Sequence, residues 1–122
     1  MSDPTTISLR PAVVHFEDLV QGDDLNFTVA LTDDAGDPVN ITADDFKMQI
    51  RRADSSVVKT LTVGSGITIT GTNTIYGTVP AADTANLEPD YTYNYDIQWT
   101  LSGGAIRTIV SGRIKAYKQI TV

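Results

Sequence analysis

The sequence predicts an all-β domain made of two packed antiparallel sheets, and three observations carry that expectation. Thr, Val and Ile number 17, 11 and 11 among 122 residues, so about a third of the chain is β-branched, the type that fits a pleated surface best. Short apolar–polar alternations recur along the chain, separated by clusters of Gly, Asp, Asn, Pro and Ser, as in half-buried strands joined by turns. Sustained helical periodicity is absent.

Residues 1–12, MSDPTTISLRPA, carry two prolines and little period-2 pattern; they are expected to form an arm ahead of a single domain over residues 13–122. Val13, Val14, His15 and Phe16 open a short first strand, and EDLVQGDD reads as the turn after it, marked by Gly22 and the acids. From Leu25 the alternation is clean. Leu25, Phe27, Val29 and Leu31 share one face, and Asn26, Thr28, Ala30 and Thr32 the other. DDAGDPVNITADD concentrates turn formers and reads as a loop with Val39 and Ile41 tucked against the core. Phe46, Met48 and Ile50 alternate with Lys47, Gln49 and Arg51, and Val57–Val63 is the expected hairpin partner across ADSS. Ile67–Thr70 and Ile75–Val79 flank a Gly-Thr-Asn turn.

AADTANL, residues 81–87, is the best helical stretch and is long enough for only one or two turns. In YTYNYDIQWTL, Tyr91, Tyr93, Tyr95, Ile97, Trp99 and Leu101 share one face, which makes this the central strand. Ser102, Gly103 and Gly104 turn the chain into Ile106–Val110; Gly112 is expected to bend or bulge the strand before Arg113–Val122 continues extended. About seven to nine short strands with such turns predict an immunoglobulin-like or fibronectin type III-like β-sandwich. One constellation adds to this. Leu87, Pro89 and Tyr93 are spaced like a tyrosine corner, in which the hydroxyl bonds back to nearby backbone.

Composition bounds the function. With 41% hydrophobic and 20% charged residues, the chain can fill one core. A net charge of −6 repels phosphate backbones and anionic headgroups, so neither nucleic acid nor membrane is an expected partner. The absence of cysteine excludes disulfides, thiolate metal sites and cysteine nucleophiles. Met1–Pro11 has neither a basic nor an apolar leader region, and nowhere do eighteen apolar residues run together. Synthesis as a soluble cytoplasmic chain is expected. Charge is unevenly placed: residues 1–45 hold ten acids and one base (−9), residues 46–122 five acids and eight bases (+3). An acidic patch facing a basic one on a neighbouring copy is one reading of this; solvated loops are the simpler one.

Candidate chemistry is sparse. His15 is the single histidine, which excludes multi-histidine metal sites and reads as a surface or packing residue. The serines lie in no nucleophile elbow. Asp33, Asp34 and Asp37, with Asp23, Asp24, Asp44 or Asp45, supply oxygens of the kind calcium takes, but the spacing matches no EF-hand and hairpin turns prefer the same residues. No phosphate-binding glycine motif occurs. Tyr91, Tyr93, Tyr95 and Trp99 are of the type that stacks on sugars or bases, yet they share a face with Ile97 and Leu101, as core residues do. No enzyme activity, cofactor or metal is expected, and no catalytic, cofactor-binding or metal residue is assigned.

The segments QGDDLNFTVALTDDAGDPVNIT, FKMQIRR and YNYDIQWTLSGGAIRTIVSGRIKAY together resemble small phage virion proteins, among them the N-terminal domain of phage baseplate upper proteins. The matching positions are Gln21, Gly22 and Asp23 before a strand, then Asp33, Gly36, Pro38, Ile41 and Thr42 in the loop after it. Later come Tyr93, Tyr95, Asp96 and Ile97, then Gly103, Gly104, Gly112 and Ile114. Ala116 stands where a larger residue is usual, and a free-standing subunit without a receptor-binding or fibre domain is expected. The resemblance implies a virion structural protein: a head decoration, head-fibre attachment, or tail or baseplate accessory subunit. It would be made in the host cytoplasm and docked in multiple copies, or as a homo-oligomer, onto capsid, neck or tail proteins. Residues 1–12 or 113–122 are expected to pair with a neighbour's sheet edge by strand addition. The alternative is a ligand- or carbohydrate-binding module at a virion or cell surface.

Overall fold

A computed structural model describes residues 12–33 and 35–118. Among them are nine strands and a single helical turn: β1 (Ala12–Val13), β2 (Phe16–Val20), β3 (Leu25–Ala30), β4 (Asp45–Arg51), β5 (Val57–Val63), β6 (Gly66–Thr70), β7 (Thr74–Val79), α1 (Ala81–Thr84), β8 (Thr92–Thr100) and β9 (Ile106–Tyr117). The all-β expectation and the short helix at Ala81 both hold.

One layer has the antiparallel order β3-β7-β6, and the other β5-β4-β8-β9, with β1 and β2 joined in parallel to the outer edge of β9. This is the strand order of an immunoglobulin-like sandwich. Leu25, Phe27, Ile67, Ile75 and Val79 of the first layer and Phe46, Met48, Ile50, Tyr93, Tyr95, Ile97, Trp99 and Ile114 of the second belong to one buried cluster. Alternation therefore turned inward where the pattern placed it, and Ile41 closes the core from the loop with Val39 packed beside it.

The layers are not two separate antiparallel sheets. β5 and β6 pair in parallel over Thr62↔Gly66 and Val63↔Ile67, which joins everything into one curled mixed ladder. The chain turns that corner in two residues, with Gly64 and Gly66 at φ +87° and +101°. At Gly66 a side chain would also meet Leu61 Cδ2 at 2.5 Å, so the positive φ favours glycine and Leu61 would have to shift to admit a side chain.

Two further expectations are corrected. Residues EDLV are strand rather than turn: β2 pairs with β9, Leu19 is buried opposite Ala116, and the turn is confined to the residues after Val20. Parallel pairing to the far end of the chain leaves no local signal, and the exposed Glu17 and Asp18 mimic turn composition. Gly112 does not bend β9. The register shifts between Ile97 and Gln98, opposite Val110 and Thr108, so Ile109 is the extra residue of the irregularity. Gly112 instead admits a neighbour: a Cβ there would lie 1.8 Å from the Val14 carbonyl oxygen. Ala12, the last residue of the expected arm, pairs with Val110; the rest of that arm and residues 119–122 lie outside the described residues.

The tyrosine corner forms as expected. The Tyr93 hydroxyl accepts the Glu88 N–H at 2.8 Å, with Leu87 buried beside it. Ala116 is small for a visible reason: fully buried, it is met by Leu19 of β2 on one side and bridged by Pro89 on the other.

Candidate functional site

Several of the residues that invite a chemical reading are held by structural partners. His15 lies exposed between β1 and β2, and its Nδ1 accepts the Arg113 N–H at 3.0 Å, continuing the contact between the N-terminal edge and β9 where strand pairing lapses. In the loop after β3, Asp33 Oδ1 accepts the N–H groups of both Ala35 and Asp37 at 2.9 Å, an Asx turn that accounts for the residue. Asp34 lies outside the described residues. Asp24 accepts the Ala81 N–H at 2.7 Å, and Asp44 takes Trp99 Nε1–H at 2.8 Å and the Ser102 N–H at 2.9 Å. Among the described residues, no three His, Cys, Asp or Glu side chains converge to hold a metal.

The aromatic strand faces inward. Tyr93, Tyr95 and Trp99 are buried, and Phe46 stacks on Trp99 with ring centroids 6.4 Å apart. Tyr91 is half-buried beneath the Arg52 guanidinium, 4.5 Å from its ring, and its hydroxyl accepts the Ala53 N–H. Glu88 pairs with Arg52 at 3.0 Å and holds its guanidinium above the usual arginine value. A stacking platform on this strand is therefore not available; the exposed tyrosines are Tyr76 and Tyr117.

Two grooves among the described residues bring together side chains singled out above. The larger, of about 590 Å³, lies between the loop after β3 and the β8–β9 hairpin, with Asp33, Asn40, Asp44 and Arg107 in its walls. Its Asp44 carboxylate is engaged at both oxygens, and it contains no histidine. The second, of about 420 Å³, brings His15, Asp96 and Ser111 into one lining on the outer face of β8 and β9. The sequence reading missed this grouping, because Asp96 and Ser111 meet only through the strand register. His15 Nδ1 accepts the Arg113 N–H, so the neutral ring carries its proton on Nε2 and has no second lone pair to serve as a base for the Ser111 hydroxyl.

The flank between β2 and β3 is different in kind. An apolar cleft of about 260 Å³ opens there, walled by Val14 and Phe16 on one side and Phe27 and Val29 on the other, with Ile97 and Val110 at its floor. Its one buried polar group is satisfied: the Tyr95 hydroxyl donates to the Val14 carbonyl at 2.6 Å, and burial pushes its pKa up to about 12. Among the described residues β3 ends the hydrogen-bonded ladder, so no described strand pairs with its second edge along this cleft. Such an edge is a template for another strand.

No protein-family model matches the chain, and no curated protein matches it. Among solved structures, extracellular domains 3–5 of Drosophila OTK are similar at a TM-score of 0.46 and 12% identity, over 98% of this chain and 38% of that one. The chain thus spans well under half the length of that relative. The immunoglobulin-like assignment rests on the strand order and the single shared core. Among the described residues no helix is long and apolar enough to cross a membrane.

Proposed function

We propose that this chain is a structural protein of a bacteriophage virion, a head-decoration, head-fibre attachment, or tail or baseplate accessory subunit. It works by docking to other virion proteins and performs no catalysis. The sequence resemblance over residues 18–117 suggests the virion, and the β3 edge that no described strand pairs, beside an apolar cleft, is the observation that supports docking. Unpaired backbone donors and acceptors next to apolar surface are what one protein offers another when it binds by strand addition. Capsid, neck or tail proteins are the partners, and the net charge of −6 disfavours nucleic acid and anionic membrane in that role.

The test is mass spectrometry of gradient-purified virions of the phage that encodes the chain. The protein is expected there in a fixed ratio to the capsid or tail subunits. Its presence in infected cells together with its absence from virions would overturn the assignment. The alternative of a carbohydrate-binding surface draws on exposed aromatics, and with Tyr93, Tyr95 and Trp99 buried no observation favours it.

A further inference from the structure

We propose that the cleft beside β3 accepts an extended strand from a second copy of this chain, and that residues 5–10 supply it. The inference builds on the docking reading above and names the partner. β3 pairs with β7 along Leu25–Ala30 on one side, and its other edge is the end of the ladder among the described residues. The cleft along that edge is apolar apart from Thr28 and the Tyr95 hydroxyl, and the latter is already donated to Val14. A strand laid on β3 would take hydrogen bonds from the open backbone and send alternate side chains into the cleft.

Strand direction argues for a second copy. β1 and β2 run parallel to β9, and after the turn that follows Val20 the chain returns as β3 in the opposite sense. At Ala12 the N-terminal end of β1 therefore points out of the cleft at its Ala30 end, away from Phe27. To cover its own β3 the chain would have to double back immediately at Pro11. The same segment of a neighbouring copy meets no such restriction. Eleven residues precede Ala12, a reach of about 36 Å when extended, against about 20 Å for the six residues of β3. Within TTISLR, Ile7 and Leu9 are two apart, the spacing that would put both on the cleft face of an added strand. Arg10 is the one base among the first 45 residues, and it would approach an edge flanked by Asp23, Asp24 and Asp33.

The test uses the purified chain alone, so its failure leaves the virion assignment to its own experiment. Light scattering and sedimentation across a hundredfold concentration range would compare the full chain with a chain lacking residues 1–10 and with Ala30→Lys. Ala30 is exposed and lines the cleft at the open edge, so the lysine places a charge where the incoming strand must lie. Thermal melts followed by circular dichroism establish that both variants fold. The expected result is an oligomer for the full chain and a monomer for each variant. A peptide of residues 3–11 should bind the truncated chain and bind at least tenfold more weakly when Ala30→Lys is also present. An oligomer that survives either change overturns the proposal. A full chain that stays monomeric also overturns it, and if the peptide then binds the truncated chain, the segment fills its own cleft.

Discussion

Replacing Gly112 by alanine tests how the N-terminal edge is held. The new Cβ would stand 1.8 Å from the Val14 carbonyl oxygen and 2.7 Å from its carbon, far inside contact distance, and both atoms are backbone. β1 must therefore move off β9. Two hydrogen bonds depend on the present position: Val14 N–H to the Ser111 carbonyl at 2.9 Å, and the Tyr95 hydroxyl to the Val14 carbonyl at 2.6 Å. Each contributes about 1 kcal/mol net, and a buried hydroxyl left without an acceptor costs about 1 more. Against this, alanine in a strand gains about 0.5–1 kcal/mol over glycine through the unfolded chain. The expected net loss is about 2 kcal/mol, or a fall in Tm of about 8 °C for a domain of this size. Urea unfolding followed by Trp99 fluorescence measures it. The tyrosinate absorbance of the same variant should titrate at lower pH, because Tyr95 becomes more accessible. A loss under about 0.5 kcal/mol with Tyr95 unchanged would refute the reasoning, since the close approach would then be carrying no structure.

Three further outcomes are expected. Tyr93→Phe strands the Glu88 N–H at the tyrosine corner and should cost about 1 kcal/mol in chemical denaturation; no change would mean that water replaces the hydroxyl. Asp44→Ala leaves Trp99 Nε1–H and the Ser102 N–H without their acceptor; a loss of about 2 kcal/mol and altered Trp99 emission are expected, and an unchanged spectrum would contradict the contact. The third concerns pH. Tyr95 titrates at about 12 in the folded chain against 10.0 for a free tyrosine, so the unfolded state loses its proton first and stability falls as pH rises from about 10 to 12. The shift sets a ceiling of about 2.7 kcal/mol, which solvent screening reduces to about 1. Tyr95→Phe should flatten that alkaline decline, and a melt series at high pH that is identical for both proteins would exclude Tyr95 as its source.

Much of this molecule is written locally. Alternation at Leu25–Leu31, Phe46–Ile50 and Tyr93–Trp99 names the strands and their inward faces, because a pleated backbone sends successive side chains to opposite sides whatever the strand pairs with. The Leu87, Pro89 and Tyr93 spacing names the corner for a similar reason: the hydroxyl reaches backbone only five residues away. Long-range register is written nowhere locally. That EDLV joins β9 in parallel, that β5 meets β6 at a glycine corner, and that Gly112 makes room for Val14 all depend on which distant backbone lies alongside. The open β3 edge is of the same class. Hydrophobic pattern says which residues face inward, but a free edge is the absence of a neighbour, and only the closed arrangement of all the strands decides where the ladder stops.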